Sequence, residues 1–126
     1  MSFFSKKKEK GISREQSLKG VPKLIETTKL DYDNEGSLTL IVKRKNWGPH
    51  QMIKAFSKIE LPPKRIELDQ IGKYVFLLID GKSTIKQIIQ SFRKEYDLHE
   101  KEAELSVVAF MNSLMERGAI VVEIPL

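Results

Sequence analysis

Between Asp69 and Gly118 the chain spells out three helix beginnings and two clear helix endings in close succession. Few folds accommodate three short helices placed one after another. Asp69 stands as an N-cap before Ile71, Tyr74, Val75, Leu78 and Ile79, which are expected to be buried, and Asp80-Gly81 follows as a stop. Thr84-Ile-Lys-Gln87 has capping-box spacing, and Ile85, Ile88, Ile89, Phe92 and Tyr96 then fall on one helical face. A third segment opens among Glu100, Glu102 and Glu104, which suit the positive end of a helix dipole, and closes at Arg117-Gly118. The predicted helices are 69–80, 84–96 and 100–117.

Upstream the periodicity changes to that of strands. Leu24, Ile25, Leu30 and Tyr32 precede Asp33-Asn34-Glu35-Gly36, and Leu38, Leu40 and Val42 follow, which predicts a hairpin. Residues 46–50, with Trp47 and Gly48-Pro49, read as a loop, and residues 51–58 as a short helix or an irregular connection. Leu61-Pro62-Pro63 blocks helix, and Arg65–Leu68 reads as a further short strand. Ala119–Ile124 closes the chain as a strand. The expected fold is α+β and winged-helix-like, a small antiparallel sheet packed on a three-helix bundle. The domain is expected over 23–126, with sheet 24–68, helices 69–117 and a last strand 119–124. Residues 1–22 are expected to form a flexible basic arm.

Charge is distributed unevenly. The chain has 22 Lys and Arg against 17 Asp and Glu, a net charge of +5. Residues 1–19 contribute Lys6, Lys7, Lys8, Lys10, Arg14 and Lys19 against Glu9 and Glu15, whereas residues 66–126 carry more acids than bases. A nucleic-acid-binding winged helix would present the third helix to the phosphates, which calls for bases there. That helix instead offers Glu100, Glu102, Glu104 and Glu116 against Lys101 and Arg117. A nucleic-acid partner is therefore not expected; a winged-helix nucleic-acid binder or another interaction domain stands as the alternative reading.

Chemistry-bearing constellations are missing from the sequence. It has no cysteine and two histidines, His50 and His99, in unrelated contexts, so no metal site or cofactor is expected. Asp80-Gly81-Lys82-Ser83 lacks the earlier glycine of a phosphate loop, and no serine has a G-x-S-x-G setting. No catalytic residue is assigned and the chain is not expected to be an enzyme. The N-terminus lacks the apolar run of a signal peptide, and no apolar stretch is long enough to span a bilayer, so a cytoplasmic location is expected.

The third helix is more apolar than one-sided packing requires. Ala103, Val107, Phe110 and Leu114 form one stripe, expected to face the core; Leu105, Val108 and Met115 form a second, with Met111 between the two. Either the sheet covers the second stripe, or it lines a groove in which methionine supplies an adaptable surface.

The segment Arg65-Ile-Glu-Leu-Asp-Gln-Ile-Gly72, followed by Val75-Phe-Leu-Leu-Ile-Asp-Gly-Lys-Ser-Thr-Ile85, resembles the PqqD family. The likeness continues through Ile88-Ile89, Glu95-Tyr96-Asp97, Glu102-Ala103-Glu104 and Phe110 to Leu114-Met-Glu-Arg-Gly-Ala-Ile120. It implies a three-stranded sheet on three helices and a non-catalytic role as a recognition element for ribosomally made, modified peptides. Such domains bind the leader of a precursor peptide as an added strand and present it to a maturation enzyme of the radical SAM/SPASM type. The peptide-binding residues then expected are Lys64, Arg65, Ile66, Glu67 and Leu68 on the strand. On the helix they are Leu105, Val108, Met111, Asn112 and Met115. This chain departs from compact family members in its lysine-rich start and its long connection over Asn46–Pro63. An exposed strand edge would also permit homodimer formation.

Overall fold

The computed structural model describes residues 13–43 and 63–125. Its elements run α1 (Arg14–Leu18), β1 (Val21–Leu24), β2 (Lys29–Tyr32), β3 (Leu38–Val42) and β4 (Lys64–Leu68). Then come α2 (Gln70–Leu77), α3 (Ile85–Tyr96), α4 (Glu100–Glu116) and β5 (Ile120–Glu123). The loop expected at 46–50, the element considered at 51–58 and the first residues of the arm lie outside the described residues.

The hairpin forms where the Asp-Asn-Glu-Gly turn puts it. Asp33 Oδ1 accepts the backbone N–H groups of Glu35 and Ser37 at 2.8 and 2.9 Å, and Gly36 adopts φ +86°, which a side chain would resist. Tyr32 pairs with Leu38, Leu38 with Leu68, and Leu40 with Ile66, giving an antiparallel sheet in the order β2-β3-β4. Alternation sends Leu38, Leu40, Val42 and Ile66 into the core, while Arg65 and Glu67 stay exposed on the opposite face.

Each helix is fixed by the cap written into the sequence. Asp69 Oδ1 accepts Gly72 N–H at 2.6 Å. Thr84 and Gln87 exchange both bonds of a capping box, at 3.1 and 2.8 Å. His99 is itself an N-cap, its Nδ1 accepting Lys101 N–H at 3.3 Å. α4 ends in a complete Schellman motif: Ala119 N–H donates to Leu114 O, Gly118 N–H donates to Met115 O, and Gly118 has φ +81°. The predicted boundaries hold to within a residue for α3 and α4, whereas α2 stops at Leu77, short of Asp80.

Several expectations need correcting. Ile71 was expected in the core but is 48% exposed, and Phe76 is buried instead. The buried side of α2 is centred on Gly72, Val75 and Phe76, where the missing side chain of Gly72 lets Phe110 approach. The second concerns the segment before residue 23, which was expected to be a flexible arm throughout. From Ser13 onward the chain is built into the domain: Ser17 and Leu18 are buried, and Arg14 donates to Glu104 on α4. Gly20 O accepts Ile85 N–H at 2.9 Å. β1 then pairs antiparallel with β5, Leu24 against Ile120, so Leu24 belongs to a separate two-stranded sheet rather than to the hairpin. Because β5 joins β1 instead of forming a wing hairpin, the winged-helix description fits only loosely; the α+β arrangement itself is as expected.

The core lies between β3–β4 and the helices, with Leu38, Leu40, Ile85, Ile88, Val107, Met111, Leu114 and Ile120 almost fully buried.

Two turn carboxylates carry a pH signature. Asp33 is held below the usual carboxylate range by the Ser37 and Glu35 amides, and Asp80 by those of Ser83 and Lys82. A carboxylate lowered in the folded state stabilises above its unfolded pKa and loses that contribution as pH falls through the folded value. Carbon-detected NMR titration is expected to place both midpoints below those of the same residues in unfolded peptides. Midpoints at the unfolded values would show that these amide bonds do not persist in solution.

Candidate peptide-binding groove

β4 hydrogen-bonds to β3 on one side only; among the described residues no strand occupies its other edge. A free edge presents unpaired N–H and C=O groups at strand spacing. Here a groove of about 370 Å³ runs along it. One wall is the β4 edge itself, with Ile66, Glu67 and Leu68. The first turn of α2 contributes Ile71, Gly72 and Val75. The opposite wall is α4, through Ser106, Phe110, Ser113, Leu114 and Arg117.

Helix α4 runs antiparallel to β4. Near its middle, a Cβ on Gly72, just beyond the end of β4, would lie 3.4 Å from the Phe110 ring. Near its end, a Cβ on Gly118 would lie 3.7 Å from Val42, which pairs with Lys64 at the start of β4. Phe110 therefore sits by Leu68 and Asp69, and Arg117 sits by Lys64. Ser106 and Ser113 are small enough to leave room for a backbone between helix and strand.

On the strand, the expected residues Lys64, Arg65, Ile66, Glu67 and Leu68 do form the free edge. Ile66 and Leu68 point inward; Arg65 is turned to the far face, where it donates to Asp31 at 3.1 Å. On the helix, the expected residues are not those facing β4. At about 100° per residue, Leu105, Val108, Met111, Asn112 and Met115 lie roughly 100–180° around α4 from Ser106. Met111 is fully buried and belongs to the core, where it completes the stripe of Ala103, Val107 and Leu114. Met115 packs against that core, Val108 is half-buried, and Asn112 has a buried Oδ1 with no hydrogen-bond partner. Leu105 is 60% exposed on the side away from the groove. Phe110, expected in the core, is only half-buried and lines the groove. The sequence signal for the side of α4 that borders the groove was the small residues Ser106 and Ser113 on either side of Phe110.

Among the described residues no group of three or more His, Cys, Asp or Glu side chains is placed to hold a metal ion. Among the described residues no helix is long and apolar enough to cross a membrane.

The fold and the groove define an α+β domain whose open strand edge borders an apolar cleft. The family model for coenzyme PQQ synthesis protein D (PqqD) matches residues 59–120, from before β4 to the start of β5, and places that segment in the PqqD family. Among solved structures, the chain is similar to the PqqD truncation of Methylobacterium extorquens PqqCD. The identity is 20%, the TM-score 0.54, and the similarity covers 80% of this chain and 88% of that one. That protein's solution NMR structure is described as a functional, stand-alone recognition element for ribosomally synthesized and post-translationally modified peptides. No curated protein matches the chain.

Proposed function

We propose that this chain is a non-catalytic adaptor for a ribosomally made precursor peptide. The leader adds as a strand to the free edge of β4, its inward side chains entering the groove against α4. The domain then presents the peptide to a maturation enzyme of the radical SAM/SPASM type in the cytoplasm. The observation that carries this reading is the coincidence of a strand edge left unpaired among the described residues with a largely apolar groove beside Ile66–Leu68. The PqqD-family segment spans both walls, and the structural relative is described as a recognition element of this kind. Backbone pairing supplies affinity and the pockets supply choice of sequence, so no reactive group is needed. The nucleic-acid reading finds no comparable support, since the first turn of α4 is acidic.

The test is an NMR titration of the labelled chain with the precursor encoded by a short open reading frame beside its gene. Shifts and interstrand nuclear Overhauser effects are expected at Lys64–Leu68, with further shifts over residues 106–117. Saturable binding mapped to β2 or β5 instead would remove the β4 edge from consideration. Self-association through the same edge would appear as shifts that grow with protein concentration alone.

A further inference from the structure

The groove has a base at one end and a carboxylate at the other. At the Lys64 end stands Arg117, exposed and making no ion pair among the described residues. At the other end the Asp69 carboxylate lines the groove. Lys73, the nearest base there, is turned away to donate to Gly36 O and to lie over the Tyr32 ring. Arg65 is likewise committed to Asp31 on the far face.

Resting on the strand-addition reading, we infer that the groove selects an extended peptide with a bulky apolar residue followed, towards its C-terminus, by Asp or Glu bound at Arg117. The direction follows from pairing. An antiparallel addition, the more stable ladder, runs from the Asp69 end of β4 towards Lys64. The apolar side chain then meets Ile71, Val75 and Phe110, and the acid comes later in the sequence. The spacing follows from geometry. Phe110 and Arg117 are seven helical residues apart, about 10 Å of rise, or roughly three strand residues. Only even offsets share a face of a strand, so the acid falls two or four residues after the apolar position.

The experiment selects binders from a random dodecapeptide display library on the full chain and, in parallel, on Arg117→Glu and Arg117→Gln. Arg117 caps α4 through its backbone, so both variants are expected to keep the parent melting temperature. On the parent chain, peptides with the apolar-then-acid order should be enriched. On Arg117→Glu the acid preference should give way to Lys or Arg, and on Arg117→Gln it should simply fade. Calorimetry on synthetic copies of the enriched peptides should show an affinity loss of about five- to tenfold in Arg117→Glu. Binders enriched without an acid at that offset, or with the acid before the apolar residue, would overturn this inference and leave the strand-addition reading standing. A selection that yields no binder on the parent chain would overturn both.

Discussion

Val107→Asp is expected to leave no folded domain at room temperature. Val107 is fully buried between Ala103 and Met111 on the core face of α4, against the sheet and α3. A carboxylate there either remains charged without a partner or must take up a proton, and both cost several kcal/mol. A domain of this size has only about 5–15 kcal/mol of stability to lose. The neighbouring Val108→Asp is expected to fold, because Val108 is half-buried and an exposed rotamer can carry its charge to water. Circular dichroism melts of both variants distinguish the outcomes. A cooperative transition in Val107→Asp close to the parent temperature would mean that this face of α4 is not packed as described.

What the sequence made legible was whatever depends on local chemistry. Asp69, the Thr84–Gln87 box and Arg117-Gly118 satisfy backbone groups within a few residues of themselves, so their meaning survives without knowledge of the rest of the chain. The hairpin was legible for the same reason, since Asp33 and Gly36 set the turn by themselves. The N-terminal segment was not. Its folding depends on contacts far along the chain, Arg14 with Glu104, Gly20 with Ile85 and β1 with β5, and a polar composition conceals the buried Ser17, Leu18 and Pro22.

The groove was half legible, and the reason is instructive. Its strand wall could be placed because β4 follows the Pro-Pro break and precedes an N-cap. Its helix wall could not, because apolarity alone does not say which side of α4 meets which neighbour. The surplus of apolar residues suggested the stripe of Leu105, Val108 and Met115 as the binding face. The fold instead places Met111 and Met115 with the core and leaves Leu105 to solvent. A wall that receives another backbone is better made from small residues than from large apolar ones, and Ser106 and Ser113 are the small residues that α4 turns to the groove.

This difference between the two faces yields a second large effect. Ser113→Trp is expected to abolish peptide binding while leaving the domain folded. Ser113 is partly exposed and lines the groove opposite β4. An indole there occupies the space that an added strand needs, and its apolar surface can lie against Ile66 and Leu68 without displacing core side chains. The stability change should stay within about 0.5 kcal/mol, as for other substitutions outside the core. Affinity for a leader that binds the parent chain should fall by about a hundredfold or more, corresponding to at least 2.8 kcal/mol at 1.4 kcal/mol per factor of ten. Leu105→Asp, on the far side of the same helix, is the matched comparison and should alter neither melting nor binding. Binding titrations and thermal melts on the three proteins separate the possibilities. Full binding by Ser113→Trp would move the peptide out of this groove, and loss of binding in Leu105→Asp alone would return it to the stripe that apolarity first suggested.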